Sequence, residues 1–381
     1  MNELLGLCKD TVKKRVREEA AYTDEAVKKI IFEVISREHR RHWIPLGERI
    51  LIAKRIFYGL CGFDVLQPLL DDDTVTDVMV NGPKHIYYEK NGQMKRYAEC
   101  FEDAKRLEDL IQQIVGSVNR SVNEANPIVD ARLADGSRVH VVLPPVALNG
   151  PVLTIRRFRK KPITIEELIQ WGTMDEMTAE YLKRAVEEKK NIFVCGGTAS
   201  GKTTLLNVLS NFIPEEERII SIEDAAELRL AKLENVVTLE TRNQNTEGKG
   251  QISIRDLIRA SLRMNPDRII VGEVRGGEAL DMLQAMNTGH EGSLSTGHAN
   301  SCKDMLMRIE TMVLMGAEMP LEAIRQQMAS AIDLLVFVEK RKGGKRKVSE
   351  IRKMVGYRGR EVITKSVMRL ENGHILWEEK E

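Results

Sequence analysis

The sequence predicts an α/β protein, with a doubly wound sheet that follows a smaller α+β domain and a leading helical bundle. Three observations carry this. Beyond about residue 160, short apolar runs alternate with helical patterns, the signature of parallel strands joined by crossover helices. Between 75 and 160 the apolar runs are joined by turns such as Asn91-Gly92 and Asp135-Gly136. Before about residue 70, apolar positions recur at helical spacing in a strongly charged background.

The elements follow in order. Residues 25–35 and 47–61 read as amphipathic helices of an N-terminal bundle. Strands are expected at 75–80, 85–89, 137–143 and 152–155, with a helix over 101–117 between the two strand groups. The run Arg156-Arg157-Phe158-Arg159-Lys160-Lys161-Pro162 breaks the β pattern and reads as a linker. Three regions result: 1–70 helical, 71–158 α+β, and 159–381 an α/β domain. Its strands are expected at 192–195, 219–223, 236–239, 269–271, 293–296 and 334–338. The basic run at 340–347 reads as a hairpin turn in solvent.

Composition bounds the function. A chain of 381 residues, 42% hydrophobic and 30% charged, is an ordinary globular protein with room for two domains. Net charge is +1 and aromatics are 5%, so neither a basic field nor stacking platforms point to nucleic acid. The five cysteines form no C-x-x-C pair, which argues against a zinc ribbon and suits a reducing cytoplasm. The segment Met1-Asn2-Glu3-Leu4-Leu5 has no basic or apolar leader character, and no run has the ~18 apolar residues of a membrane span. Membrane contact is therefore expected only through a partner.

The strongest motif is Gly196-Gly197-Thr198-Ala199-Ser200-Gly201-Lys202-Thr203, a complete G-x-x-x-x-G-K-T loop. It follows the apolar run Ile192-Phe193-Val194-Cys195 and precedes a helical pattern from Thr204, the context that such a loop requires. Loop amides and the positive helix end cradle phosphate oxygens. Lys202 reaches the β- and γ-phosphates, and the Thr203 hydroxyl holds Mg²⁺. A nucleoside triphosphate with Mg²⁺ is the expected ligand; the motif does not choose the base, and ATP is what the family resemblance below implies.

Downstream residues say what the nucleotide drives. Glu223 and Asp224, with Glu227, close an expected strand, where a carboxylate can orient or deprotonate the attacking water. Arg268-Ile269-Ile270-Val271-Gly272-Glu273 is Walker B-like, an apolar strand ending in the acid that faces Mg²⁺, although Gly272 replaces the first acid of the usual pair. His290 and His298 flank a strand of small and hydroxylated residues. Eight residues apart, they lack compact metal spacing, and a role at the γ-phosphate is expected for both. Arg132, Arg138, Arg156 and Arg157 lie outside the phosphate-loop domain and can supply cations to the triphosphate.

With these motifs in order, residues 70–340 resemble the type II/type IV secretion and pilus ATPases, and most resemble the CpaF-type ATPases of tight-adherence pili. The segments Thr238-Leu239-Glu240-Thr241-Arg242, Gly248-Lys249-Gly250, Leu262-Arg263-Met264-Asn265-Pro266-Asp267 and Gly272-Glu273-Val274-Arg275-Gly276-Gly277-Glu278-Ala279 carry the likeness. The resemblance implies a ring hexamer with a RecA-like domain, working on an inner-membrane platform protein from the cytoplasmic side. Its Asp box would centre on Glu223 and Asp224, its Walker B acid would be Glu273, and its His box would run from 290 to 298. Glu223 is then expected to activate water and Glu273 to hold Mg²⁺, although the sequence also supports the reverse. The branches with a tetracysteine zinc site are excluded by the cysteine spacing, so zinc is not expected. A DNA-translocating motor and a non-hydrolysing scaffold are rivals. Low aromatic content argues against the first, and the retained Lys202, Glu223 and Glu273 against the second.

Overall fold

The structure is a computed structural model that describes residues 2–18, 23–158, 162–230, 232–242, 249–371 and 373–378. Residues 159–161 of the expected linker, and Gly248, lie outside the described residues. The chain forms two compact units, Met1–Arg159 and Lys160–Glu381.

In the first unit, α1 (Asn2–Glu18), α2 (Asp24–Arg41) and α3 (Leu46–Cys61) pack around Cys8, Val12, Ile30, Val34 and Ile56. Thr23 starts α2 by accepting a hydrogen bond from the Ala26 amide, which satisfies one of the orphan donors of the first turn. After α4 (Gln67–Asp71) come β1 (Val75–Asn81), β2 (Ile86–Lys90), β3 (Gln93–Arg96), α5 (Ala104–Ser117), β4 (Ile128–Arg132), β5 (Arg138–Val142) and β6 (Val152–Arg156). The strands form an antiparallel sheet in the order β3-β2-β1-β6-β5-β4. Alternation assigns its faces. Val78, Val80, Val139, Val141, Leu153 and Ile155 are buried in one core with Leu107, Leu110, Ile111 and Ile114 of α5. The opposite face carries a cross-strand row in which Arg132 is paired with Arg138, Arg138 with Arg156, and Arg156 with Asp77. The strands β3 and β4 were not expected, because their residues are mostly exposed or half-buried and show no apolar alternation.

The second unit opens with α6 (Ile165–Gln170), which begins in a reciprocal Thr164–Glu167 capping box, and α7 (Glu176–Glu187). There follow β7 (Ile192–Gly196), α8 (Lys202–Ser210), β8 (Ile219–Glu223), β9 (Val236–Glu240), α9 (Ile254–Ser261), β10 (Arg268–Val271), α10 (Glu278–Met286), β11 (Leu294–His298), α11 (Cys302–Gly316), α12 (Leu321–Ala331), β12 (Leu334–Lys340), β13 (Arg346–Arg358), β14 (Glu361–Glu371) and β15 (His374–Trp377). Among the described residues the sheet order is β15-β14-β13-β12-β7-β11-β10-β8-β9, with β12 through β9 parallel and the other end antiparallel.

The strands β7, β8 and β10 are buried throughout, as strands covered on both faces must be, and this is why they read as continuous apolar runs. Phe193, Ile222 and Val271 pack with α9, α10, α11 and α12 on one face. Ile192, Val194 and Ile270 pack with α7 and α8 on the other. All six strands expected from the sequence are present. The antiparallel extension β13–β15 was not expected, because its long strands are mostly half-exposed.

Candidate functional site

The phosphate loop occupies the C-terminal edge of the parallel sheet, where α/β folds bind ligands. Gly201 precedes α8 with φ +100°, a conformation open to glycine at little cost. No side chain caps the start of α8, so its first amides stay open to an anion. Ala199 also lies at positive φ (57°), and the Ser200 hydroxyl is buried without a hydrogen-bond partner. A non-glycine residue held in this region costs ~1–2 kcal/mol, strain of the sort that collects at functional loops.

Strand order then assembles the charged groups. The loop-bearing β7 and β10, which leads into Glu273, are separated by β11, whose last residue is His298. His298 therefore bridges them. The Lys202 ammonium lies 3.1 Å from the Gly197 carbonyl, to which it donates, and 3.3 Å from His298 Nδ1. On its other side, His298 Nε2 lies 2.9 Å from Glu273 Oε1. That contact has ion-pair distance without hydrogen-bond alignment, so Oε1 remains a buried acceptor lacking a proper donor. Glu273 Oε2 accepts from Arg275 at 2.8 Å, and Arg275 continues to Asp224 at 3.4 Å.

Each ionisation follows from these neighbours. Burial pushes the Lys202 ammonium below the usual lysine range, against the attraction of Glu273. Burial also pushes the Glu273 carboxyl upward, but the Arg275 hydrogen bond and charge, with His298 and Lys202, hold it below the usual range. His298 is depressed by burial and by Lys202, which favours the neutral ring. A neutral ring protonated on Nε2 accepts at Nδ1 from Lys202.

Glu223 is one strand further out, on β8, and 3% exposed. Its oxygens accept the amides of Glu227 (2.8 Å) and Leu228 (3.1 Å), which fix the carboxylate in place. The departure from the usual Walker B acid pair has a steric reason. A Cβ on Gly272 would meet Glu223 Cγ at 2.9 Å, so this packing excludes a second acid there.

Other expected residues lie elsewhere. His290 precedes β11 at its opposite end, and its Nδ1 faces the Ala285 carbonyl at 3.3 Å. A five-residue strand spans ~16 Å, so the two histidines do not face one phosphate within the chain. The expectation of a paired role is corrected accordingly. Arg132, Arg138 and Arg156 form the row on the first unit's sheet. Arg157 donates to the backbone carbonyls of Asp72 and Val75, and to Asp73 at 3.2 Å, within its own unit.

Two residues at the site were missed. Arg275 appeared in the sequence only within the segment that carries the family resemblance, with no role of its own. Arg346, from the run read as a solvated turn, donates to the Ala199 carbonyl at 3.2 Å and packs against Gly201. The signal was present only in three dimensions, because β12 pairs with β7 in a register that sets Val338 beside Gly196.

Residues 61–378 match the family described as Type II/IV secretion system protein. A putative conjugal transfer protein of Mycobacterium tuberculosis is 37% identical over 298 residues, covering 77% of this chain and 84% of the relative. Type IV secretion system protein PtlH of Bordetella pertussis is 35% identical over 317 residues, covering 75% and 92%. Among solved structures, the pilus retraction motor PilT with bound ADP aligns with a TM-score of 0.58 at 20% identity, covering 78% of this chain and 83% of that one. This likeness shows the fold, a RecA-like sheet carrying the phosphate loop.

Proposed function

The chain belongs to the Type II/IV secretion system protein family and is an ATPase, and on that premise we propose that it is the hexameric motor of a tight-adherence or type IV-like pilus, or of a related protein-secretion machine. It would dock on a platform protein at the inner face of the cytoplasmic membrane. Among the described residues, no helix is long and apolar enough to cross a membrane, so the anchor would be that partner. The observation that carries the reading is the line from the Lys202 ammonium through His298 to Glu273 at the strand ends, a set of groups matched to a triphosphate.

In this reading the amides of 196–204 hold the phosphates and Lys202 neutralises charge on the departing diphosphate. The buried and poorly paired Glu273 Oε1 fits a role in holding Mg²⁺ with Thr203, the remaining ligands coming from phosphate and water. When bound, the ion would neutralise charge on the phosphates. Glu223, fixed by two backbone amides, orients the attacking water. Arg132, Arg138 and Arg156 supply further cations.

The direct test is Lys202→Ala. Steady-state phosphate release should fall at least ~100-fold, because a preorganised cation is lost where charge develops. Turnover near the wild-type rate would remove the site assignment.

A further inference from the structure

A cleft of about 480 Å³ opens beside the phosphate loop, and α11 forms its far wall. Its position along the nucleotide can be read from Lys202. A phosphate-loop lysine reaches the β- and γ-phosphates, and this one points at Gly197 and His298. Those two residues, with Thr198, line the cleft, so it lies at the terminal-phosphate end of the site. From α11 and the turn before it come Asn300, Asp304 and Arg308.

Arg308 is exposed and, among the described residues, makes no ion pair or hydrogen bond, even though Asp304 stands one turn earlier on the same helix. Several other arginines of this unit are paired with carboxylates, as Arg325 is with Glu310 and Arg275 with Glu273. An unspent guanidinium on the wall of an anion site is a fork of donors without an acceptor.

We propose that Arg308 is a catalytic residue acting in its own subunit, hydrogen-bonding the terminal phosphate across this cleft and so distinguishing a nucleoside triphosphate from a diphosphate. The proposal rests on the reading that the phosphate loop binds ATP. Charge develops on the terminal phosphoryl oxygens as the bond to the β-phosphate breaks, and Arg308 balances it without itself gaining or losing a proton. Asp304 on the same wall repels a phosphate that approaches without Arg308 as its counter-ion.

The test is calorimetric binding of Mg²⁺–ADP and of a non-hydrolysable Mg²⁺–ATP analogue to the full chain, comparing wild type with Arg308→Ala and Arg308→Lys. Arg308→Ala should weaken the analogue at least ~10-fold, the worth of a hydrogen bond between charged groups, and leave ADP within ~2-fold. Arg308→Lys should recover part of the loss. Unchanged affinity for both ligands, or an equal loss for both, would overturn the assignment. Unchanged ADP binding also certifies that the variant folds. If wild type bound neither nucleotide, the ATP reading itself would fail, an outcome distinct from a defect confined to Arg308.

Discussion

His298 illustrates what one residue can and cannot disclose in sequence. Its place near a strand end was legible. Its contacts with Lys202 and Glu273 were not, because they depend on β11 lying between β7 and β10, a matter of strand order rather than spacing. His290 stands apart from it: two similar residues close in sequence lie at opposite ends of one strand. Arg268 heads the Walker B-like run and was given no role of its own from the sequence. In the structure it is fully buried and pairs with Glu217 at 2.5 and 2.9 Å, while also donating to the Val186 carbonyl. Burial pushes the Glu217 carboxyl up, but the bonds and charges of Arg268 and Lys189 outweigh it, so its pKa lies below the usual value. A depressed carboxyl stabilises the fold above its unfolded pKa of about 4.3 and loses that contribution as pH falls through the folded value. Glu217→Gln should therefore destabilise the second unit by ~3 kcal/mol at neutral pH, since it leaves Arg268 buried without its counter-ion. The gap to wild type should shrink below about pH 4. Denaturant unfolding at several pH values checks this, and a gap independent of pH would contradict it.

At the scale of elements, the buried parallel strands were the most legible part of the fold, because strands covered on both faces must be apolar throughout. Elements with an exposed face were harder. The strands β3 and β4 carry little apolar signal, and β13–β15 were not anticipated. That extension brings Arg346 onto the phosphate loop, where its bond to Ala199 steadies a residue held at positive φ. Arg346→Ala should weaken ADP and ATP-analogue binding alike by ~3- to 10-fold, the worth of one charged hydrogen bond to the loop. Equal loss for both ligands is the mark of loop positioning, in contrast to the selective loss expected at Arg308. No change in either affinity would return the hairpin to the role of a solvated turn.

At the scale of the whole molecule, the phosphate loop and Walker B-like strand were readable because each is contiguous in sequence. The arginine row of the first unit was not, because it joins three strands from two separate segments. The most direct measurement is the steady-state ATPase rate per chain across a protein concentration series, with sizing alongside and Glu223→Gln as control. The account predicts a rate per chain that climbs steeply as hexamers form and disappears in Glu223→Gln, while that variant still binds ATP. A rate per chain that stays flat from monomer to hexamer, or that survives in the variant, would contradict it.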